Sequence, residues 1–321
     1  MRSLIAIAFS DLHLNNWSRF NQDGERMKNG FKVLLEIAGI SHKEQVPALF
    51  CGDMFHKPDN LDQNLALMMK DTLDTIQYKL SKCRIYAIEG NHDLKYVSRL
   101  DSGTNRGWIS IFERPPFLNV IKGGTRYFPN FTLVGIPYID NNASVSEFLN
   151  QLPNMAKSIL MLHTNYPGAK DTDGRVIESE INLNLNLLNK FSLVLCGHIH
   201  KPQRLSKKVY MVGAPIQQRR TDKDCKLGYW RIYKDFSVEF VELTGYPKFI
   251  DVENKEDILN DGNYYTVVPK KDTRVEVNTS HNISKKLSKK SLARRYMREV
   301  GIKDKHKKEL LIDILNKAES C

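Results

Sequence analysis

Five short apolar runs in this chain each stop at side chains of the kinds that bind metal ions. The run at residues 84–88 leads into Gly90-Asn91-His92-Asp93, which offers an amide, an imidazole and a carboxylate. The other four lead into Asp11-Leu12-His13, Gly52-Asp53-Met54-Phe55-His56, His163, and Gly197-His198-Ile199-His200. Because the carboxyl ends of parallel strands meet at one edge of a sheet, ligands far apart in sequence can converge there. Five such ends in one chain therefore predict a two-metal phosphoesterase.

The order of apolar patterns predicts an α/β fold. Periodicity of two or continuous apolar runs predict strands at 3–10, 46–51, 84–89, 131–136, 158–162 and 191–196. Helical spacing predicts helices at 25–40, with a stop at Gly39, and at 61–80. Three later runs, 208–212, 227–233 and 237–243, predict antiparallel strands, with a tight turn at Lys234-Asp235. Alternating strands and helices indicate parallel strands. Together with the later antiparallel strands, they predict a two-layered β core flanked by helices.

Composition excludes several classes of protein. The chain has 321 residues, of which 41% are hydrophobic and 26% are charged, as in ordinary globular proteins. It has no apolar run of transmembrane length, and its N-terminal run continues directly into Asp11 instead of a cleavage site. Five cysteines without a Cys-x-x-Cys pair predict free thiols in a reducing compartment. We therefore expect a cytoplasmic protein that does not enter membranes.

Positive charge is concentrated at the C-terminal end. The formal net charge is +11, and residues 283–321 contain twelve Lys or Arg against five Asp or Glu. We predict three regions: a catalytic domain at 1–245, a small accessory or capping region at 246–282, and a basic helix pair at 283–321. A strand pair is predicted at 264–268 and 274–277, and the two helices at 283–300 and 305–318.

The ligand types indicate which metals would fit. Carboxylate, amide and imidazole donors without a thiolate suit Mn²⁺, or alternatively Fe²⁺ or Mg²⁺, better than structural zinc. Two metals about 3.5–4 Å apart need one bridging carboxylate, for which Asp53 is the candidate. Such a pair binds phosphate, activates water and stabilises in-line displacement. His92, next to a ligand, is predicted to stabilise the reacting phosphorus or protonate the leaving oxygen, with Asp93 orienting its ring.

The motif set resembles the calcineurin-like metallophosphoesterase superfamily over about residues 1–243. Within it, Gly52-Asp53-Met54-Phe55-His56 and Gly213-Ala214-Pro215 resemble the SbcD-type nuclease subunits of double-strand-break repair and their phage recombination-endonuclease relatives. Protein Ser/Thr phosphatases fit less well, because they carry Arg and Glu where this chain has Lys57 and Asp93. The resemblance implies a four-layer α/β/β/α sandwich.

The same resemblance implies residue roles and partners. Two manganese ions would be bound by Asp11, His13, Asp53, Asn91, His163, His198 and His200. His92 would be the catalytic histidine, and His56 would help to place the scissile phosphodiester of DNA. The basic helix pair would bind the coiled-coil root of an SbcC-type ATPase, and the catalytic domain would form a homodimer. The expected compartment is the cytoplasm, or the host cytoplasm if the protein is phage-encoded.

Several alternatives remain open at this stage. The substrate could be a small nucleotide or cyclic phosphodiester, although a basic helix pair then has no obvious use. A non-catalytic binding protein on the same fold would be expected to lack His92 or a metal ligand, and none is missing. The basic tail could contact DNA phosphates directly or simply pack on its own domain. The accessory region is shorter than the capping domain that contacts DNA in the family that the chain resembles.

Overall fold

The computed structural model of the chain describes residues 2–59, 61–94, 107–139, 142–153, 155–177 and 185–268. Four helices lie within these ranges: α1 (Glu25–Glu44), α2 (Gln63–Lys79), α3 (Trp108–Ile111) and α4 (Asn142–Gln151). The first seven strands are β1 (Leu4–Phe9), β2 (Ala48–Phe50), β3 (Ile85–Ala87), β4 (Leu118–Val120), β5 (Gly124–Tyr127), β6 (Thr132–Ile136) and β7 (Met155–His163). The others are β8 (Phe191–Gly197), β9 (Gln203–Arg204), β10 (Val209–Met211), β11 (Gly228–Tyr233), β12 (Val238–Glu242), β13 (Phe249–Val252) and β14 (Tyr264–Val267).

The strands form two six-stranded sheets and one separate pair. The first sheet has the order β12-β11-β1-β2-β3-β4, and the second has the order β5-β6-β7-β8-β10-β9. The strands from β1 to β4 pair in parallel, as do β6, β7, β8 and β10, whereas β11, β12, β5 and β9 pair antiparallel. Parallel strands carry side chains that are buried on both faces, which explains the continuous apolar runs of the sequence.

Three apolar clusters separate four layers. The first lies between the helices α1 and α2 and the first sheet, and it contains Phe9, Phe31 and Phe50. The second lies between the sheets, and the third covers the outer face of the second sheet with α4. Full burial of one such side chain contributes about 1.5–3 kcal/mol. The predicted α/β/β/α sandwich is confirmed.

The first predicted helix is longer than expected. It passes through Gly39 and ends after Glu44, where Gln45 adopts a left-handed conformation (φ 54°) and donates its N–H to the Ser41 carbonyl. The predicted stop at Gly39 is therefore wrong. Glycine costs only about 1 kcal/mol inside a helix, and burial of Ile37, Ala38 and Ser41 against the sheet outweighs that cost.

One strand prediction also needs correction, and another falls partly outside the described residues. The run at 208–212 forms β10, which joins the second sheet beside β8, whereas 227–233 and 237–243 form the antiparallel pair β11–β12 of the first. The three residues of β10 are all buried, as is typical of a strand inside a sheet.

In the accessory region, β14 pairs in parallel with β13, and the predicted partner at 274–277 lies outside the described residues. The predicted helices at 283–300 and 305–318 also lie outside them. Within the described ranges, no helix is both long enough and apolar enough to cross a membrane.

The N-terminus of α2 supplies a stability test. The Asp62 carboxylate accepts hydrogen bonds from the backbone N–H groups of Asn64 (3.0 Å) and Leu65 (3.2 Å). We expect Asp62→Ala to lower the free energy of unfolding by about 1 kcal/mol, because it removes this cap. Urea unfolding measures the change. Asp71→Ala, on the exposed face of the same helix, is the control and should change it by less than about 0.5 kcal/mol; equal losses in the two variants would show that the cap contributes nothing.

Candidate metal centre

The five predicted strand ends converge on one cleft between the two sheets. Asp11 and His13 follow β1, Asp53 follows β2 and Asn91 follows β3, all in the first sheet. His163 ends β7, and His198 and His200 follow β8, in the second sheet. The predicted seven-residue set is thus brought together by the meeting of parallel strand ends.

One group of possible ligand atoms comprises Asp11, His13 and His200. Their nearest ligand atoms all lie within 4.8 Å of one another, and all three residues are buried. The His13 Nε2 atom is 4.0 Å from Asp11 Oδ1 and 3.6 Å from Asp53 Oδ2. We refer to this group as the first metal site.

A second group comprises Asp53, His163 and His198, whose ligand atoms also lie within 4.8 Å of one another. Asp53 Oδ2 is 3.3 Å from His163 Nε2. The Asn91 Oδ1 atom is 3.0 Å from His163 Nε2 and 2.8 Å from His198 Nδ1, so it belongs to the same group. We refer to this group as the second metal site. The same Asp53 oxygen faces both groups, which is the position that a bridging carboxylate requires.

The ionisation of these side chains fits cation binding. Burial alone raises the pKa of Asp53, but the adjacent His163 ring reverses this and the net pKa lies below the ordinary value. Conversely, burial lowers the pKa of His163, but Asp53, with help from Asp11 and the Cys51 carbonyl, outweighs this and raises the net pKa to about 9. Burial lowers the pKa of His198 to about 4 and that of His13 well below its usual range. Divalent metals need an ionised carboxylate and neutral imidazoles. At pH 7 Asp53, His13 and His198 are already in that form, whereas His163 would release a proton when a metal binds.

The backbone around the ligands is strained. Asp11 (φ 55°), His13 (φ 45°), Asp53 (φ 61°) and His198 (φ 98°) all have positive φ, although none is glycine. Each such residue costs about 1–3 kcal/mol and persists only where the surrounding structure enforces it. Hydrogen bonds do so here: the N–H of His198 donates to Asp11 Oδ1 at 3.1 Å, and the N–H of His92 donates to Asp53 Oδ1 at 2.8 Å.

Backbone carbonyls orient two of the rings. The Nδ1–H of His163 donates to the Cys51 carbonyl at 2.7 Å, so its Nε2 atom faces Asp53 and Asn91. The Nδ1–H of His92 donates to the His56 carbonyl at 2.7 Å, which leaves the Nε2 atom of His92 for another partner. Such outer contacts fix the tautomer of a metal-binding or catalytic histidine.

Asp93 has a role different from the predicted one. Its carboxylate is buried and accepts hydrogen bonds from the backbone N–H groups of Asp53 (2.8 Å), Met54 (3.2 Å), Phe55 (2.9 Å) and Gly90 (2.9 Å). The prediction that Asp93 orients His92 is therefore wrong, because the His56 carbonyl does this. Asp93 instead joins the two loops that carry Asp53 and Asn91.

His56 lies beside His92 at the wall of the cleft. The two rings stack with centroids 5.2 Å apart and planes 12° apart, and the His56 Nδ1 atom is 3.4 Å from His13 Nδ1. Burial, together with the nearby His92 and Lys57, lowers the pKa of His56 to about 4, so this ring is neutral at pH 7. Trp17 packs against the His56 ring as well, with ring centroids 4.6 Å apart.

The cleft also contains residues that the motif analysis missed. It has a volume of about 360 Å³, and the additional residues lining it are Trp17, Asn165, Asp171, Thr172, Ile177, Ile199, Gln218 and Arg219. A further missed residue is Asp222, whose buried carboxylate lies 3.2 Å from His200 Nδ1. Trp17 could have been found from its place four residues after His13 in the same loop, whereas Asp222 lies in a polar loop with no periodic signal.

A two-sheet sandwich with paired metal sites at its strand ends defines a metal-dependent phosphoesterase. Residues 6–202 match the family model described as calcineurin-like phosphoesterase. The chain therefore belongs to the calcineurin-like phosphoesterase family.

Two individual proteins show more distant similarity. A protein of Invertebrate iridescent virus 6, described as putative phosphoesterase 244L, is 24% identical over 242 residues, which cover 70% of this chain and 78% of the viral protein. A crystal structure of a hypothetical protein from Thermus thermophilus is 13% identical with a TM-score of 0.34, covering 67% of this chain and 77% of the other.

Proposed function

We propose that this metallophosphoesterase is a DNA nuclease that hydrolyses phosphodiester bonds with two Mn²⁺ ions, in the manner of SbcD-type repair and recombination nucleases. The observation that carries the proposal is the stacked pair of His56 and His92 rings, both of which contact His13, the residue whose Nε2 atom faces the Asp53 carboxylate that both metal sites share. A phosphodiester held by cations at the two sites would lie in the cleft that both of these imidazoles line.

The geometry supports a division of labour among the side chains. Two divalent cations held by the seven ligands would supply Lewis acidity at the phosphoryl group and at the attacking water. His92 has its Nδ1–H committed to the His56 carbonyl, so its Nε2 atom is the one available to give or take a proton at the leaving oxygen. The neutral His56 ring holds His92 in place by stacking and itself lines the cleft.

The choice of DNA as substrate is supported by charge. The net charge of +11 favours a polyanionic partner. At the cleft itself, Arg219 lines the wall with its side chain 59% exposed, and the exposed Lys57 follows His56. We further propose that the basic tail at 283–321 binds an SbcC-type ATPase. The resemblance to SbcD-type nucleases also leads us to propose a homodimer.

A small phosphodiester is the second candidate, and the size of the cleft favours it. At about 360 Å³ the cleft falls within the range of small-molecule sites, about 300–1,000 Å³. A nucleotide or cyclic nucleotide would fit this space without using the basic tail.

The deciding experiment follows cleavage of end-labelled DNA by the pure protein in Mn²⁺, Mg²⁺ or EDTA, with bis-p-nitrophenyl phosphate assayed in parallel. We expect DNA cleavage that requires Mn²⁺ and that falls by about 10²- to 10⁴-fold in His92→Ala, because the proton-transfer group is lost. His42→Ala on α1 is the control and should cleave like the wild type, since its ring contacts the Lys82 N–H, far from the strand ends. Hydrolysis of the small diester alone, even after an SbcC-type ATPase is added, would contradict the DNA proposal and favour the second candidate.

A further inference from the structure

The first metal site depends on a residue outside the ligand motifs. Asp222 is fully buried, and its Oδ2 atom lies 3.2 Å from His200 Nδ1. The same oxygen accepts the backbone N–H groups of Gln218 (2.9 Å) and Arg219 (3.1 Å). Because a carboxylate oxygen bonded to N–H groups acts as the acceptor, His200 carries its proton on Nδ1, which leaves Nε2 as its ligand atom in the group with Asp11 and His13.

The loop that carries Asp222 is attached to the accessory strand pair β13–β14. The Gln217 side chain accepts the N–H of Phe249 (2.6 Å) and donates to the carbonyl of Lys223 (3.0 Å), so it joins β13 to both ends of the loop. On the outer side, Arg220 makes two hydrogen bonds to Asp251 of β13, at 2.6 and 3.0 Å, and Lys223 pairs with the same carboxylate.

The opposite edge of the loop is held from the N-terminal half of the chain. Arg26 of α1 donates to the Gln218 carbonyl, and its guanidinium lies 4.0 Å from the Trp17 ring centroid, 5.4 Å from that of Phe249 and 5.7 Å from that of Tyr264. Cation–aromatic contacts of this kind are stronger where they are shielded from water than where they are exposed. Arg26 is therefore inserted between the accessory pair and the wall of the cleft.

We propose that Asp222 is a positioning residue for His200, and that the accessory strand pair β13–β14 holds Asp222 in place through the loop at 217–223. Breaking either contact weakens the first metal site and leaves the second site intact, because the second site has its own ligands and its His163 ring is oriented by the Cys51 carbonyl instead. The accessory region thus supports the metal centre through this loop. The inference depends on the metal centre and not on the identity of the substrate, so it can fail or succeed independently of the nuclease proposal.

The test measures Mn²⁺ binding by the full chain with isothermal titration calorimetry and electron paramagnetic resonance. In the wild type we expect two bound equivalents and the signal of a coupled Mn²⁺ pair. In Asp222→Asn we expect one of the two binding steps to weaken by about 10- to 100-fold, the usual effect of losing an outer partner of a metal-binding histidine. At two equivalents of Mn²⁺ the spectrum should then be that of isolated ions.

Two further variants separate positioning from general stability. Asp251→Asn removes the ion pairs with Arg220 and Lys223 at a partly exposed position, and it should weaken the same binding step by a smaller factor while the protein remains folded. Asp235→Asn is the matched control, because Asp235 also accepts a backbone N–H (from Ser237, 3.0 Å) but lies in the β11–β12 turn, and it should bind like the wild type. The proposal would be overturned if Asp222→Asn bound Mn²⁺ in two steps of wild-type affinity. If Asp222→Asn did not fold, the same result in Asp251→Asn would overturn it.

Discussion

Replacement of Asp53 by Asn is expected to abolish binding of the metal pair while leaving the fold intact. The Asp53 Oδ2 atom is the one that faces both His13 Nε2 and His163 Nε2, and Oδ1 accepts the N–H of His92. Asparagine has the same shape and can still accept that N–H through Oδ1. Its NH₂ group, however, would direct protons instead of negative charge toward the two metal positions, and neutral amide donors repel cations.

Hydrolysis of either substrate class should then fall by more than about 10⁴-fold, the upper end of the loss caused by a missing general acid or base. Calorimetric titration with Mn²⁺ measures binding, and diester hydrolysis measures activity. Asp71→Asn, an exposed carboxylate on α2, is the control and should behave as the wild type. If Asp53→Asn still bound two equivalents with unchanged affinity, Asp53 would not be the shared ligand.

Replacement of Gly197 by Ala is expected to lower the free energy of unfolding by about 3 kcal/mol or more, because a side chain there meets atoms that cannot move. A Cβ at this position would lie 2.1 Å from the Cys51 carbonyl oxygen, 2.4 Å from Ser10 Oγ and 2.8 Å from His163 Nδ1. All three belong to buried residues at the ends of β1, β2 and β7. Relief of the clash would separate the His163 ring from the Cys51 carbonyl that orients it.

Gly39→Ala is the control for this substitution, and it should raise the free energy of unfolding instead of lowering it. A Cβ on Gly39 has no atom within 4 Å, and the residue lies inside α1, where alanine is favoured by about 0.5–1 kcal/mol. Guanidinium unfolding of both variants gives the comparison. A loss in Gly197→Ala no larger than about 0.5 kcal/mol would mean that the strand ends can move apart at little cost.

The ligand positions could be predicted from sequence because one physical rule covers all of them. A strand buried on both faces is an unbroken apolar run, and the first polar residue after it marks the edge of the sheet. Asp53, His163 and His198 follow that rule, Asp11 and Asn91 follow it after one earlier polar residue (Ser10 and Glu89), and the structure brings all five together. The sandwich followed from the same runs, since strands buried on both faces need helices or a second sheet to cover them.

The errors arose where contacts distant in sequence decide the outcome. Asp93 is adjacent to His92, but its carboxylate binds backbone N–H groups of the loop that carries Asp53, about forty residues earlier. Gly39 has an intrinsic tendency to end a helix that tertiary burial overrides. Asp222 acquires its importance only when the loop folds against His200 and β13, and no local pattern around it signals this.

Each of the two metal sites takes ligands from both sheets, and this has a consequence for folding. Asp11 and His13 of the first sheet face His200 of the second, and Asp53 and Asn91 of the first face His163 and His198 of the second. Neither site can exist on half of the sandwich, so a bound cation recognises only the state in which both sheets are packed together. By mass action, a metal at a hundred times its Kd adds about 2.7 kcal/mol to the free energy of unfolding. The metals would therefore act as cross-links between two sheets that are otherwise held together by apolar packing. The metal centre would then stabilise the packing of the sheets as well as support catalysis.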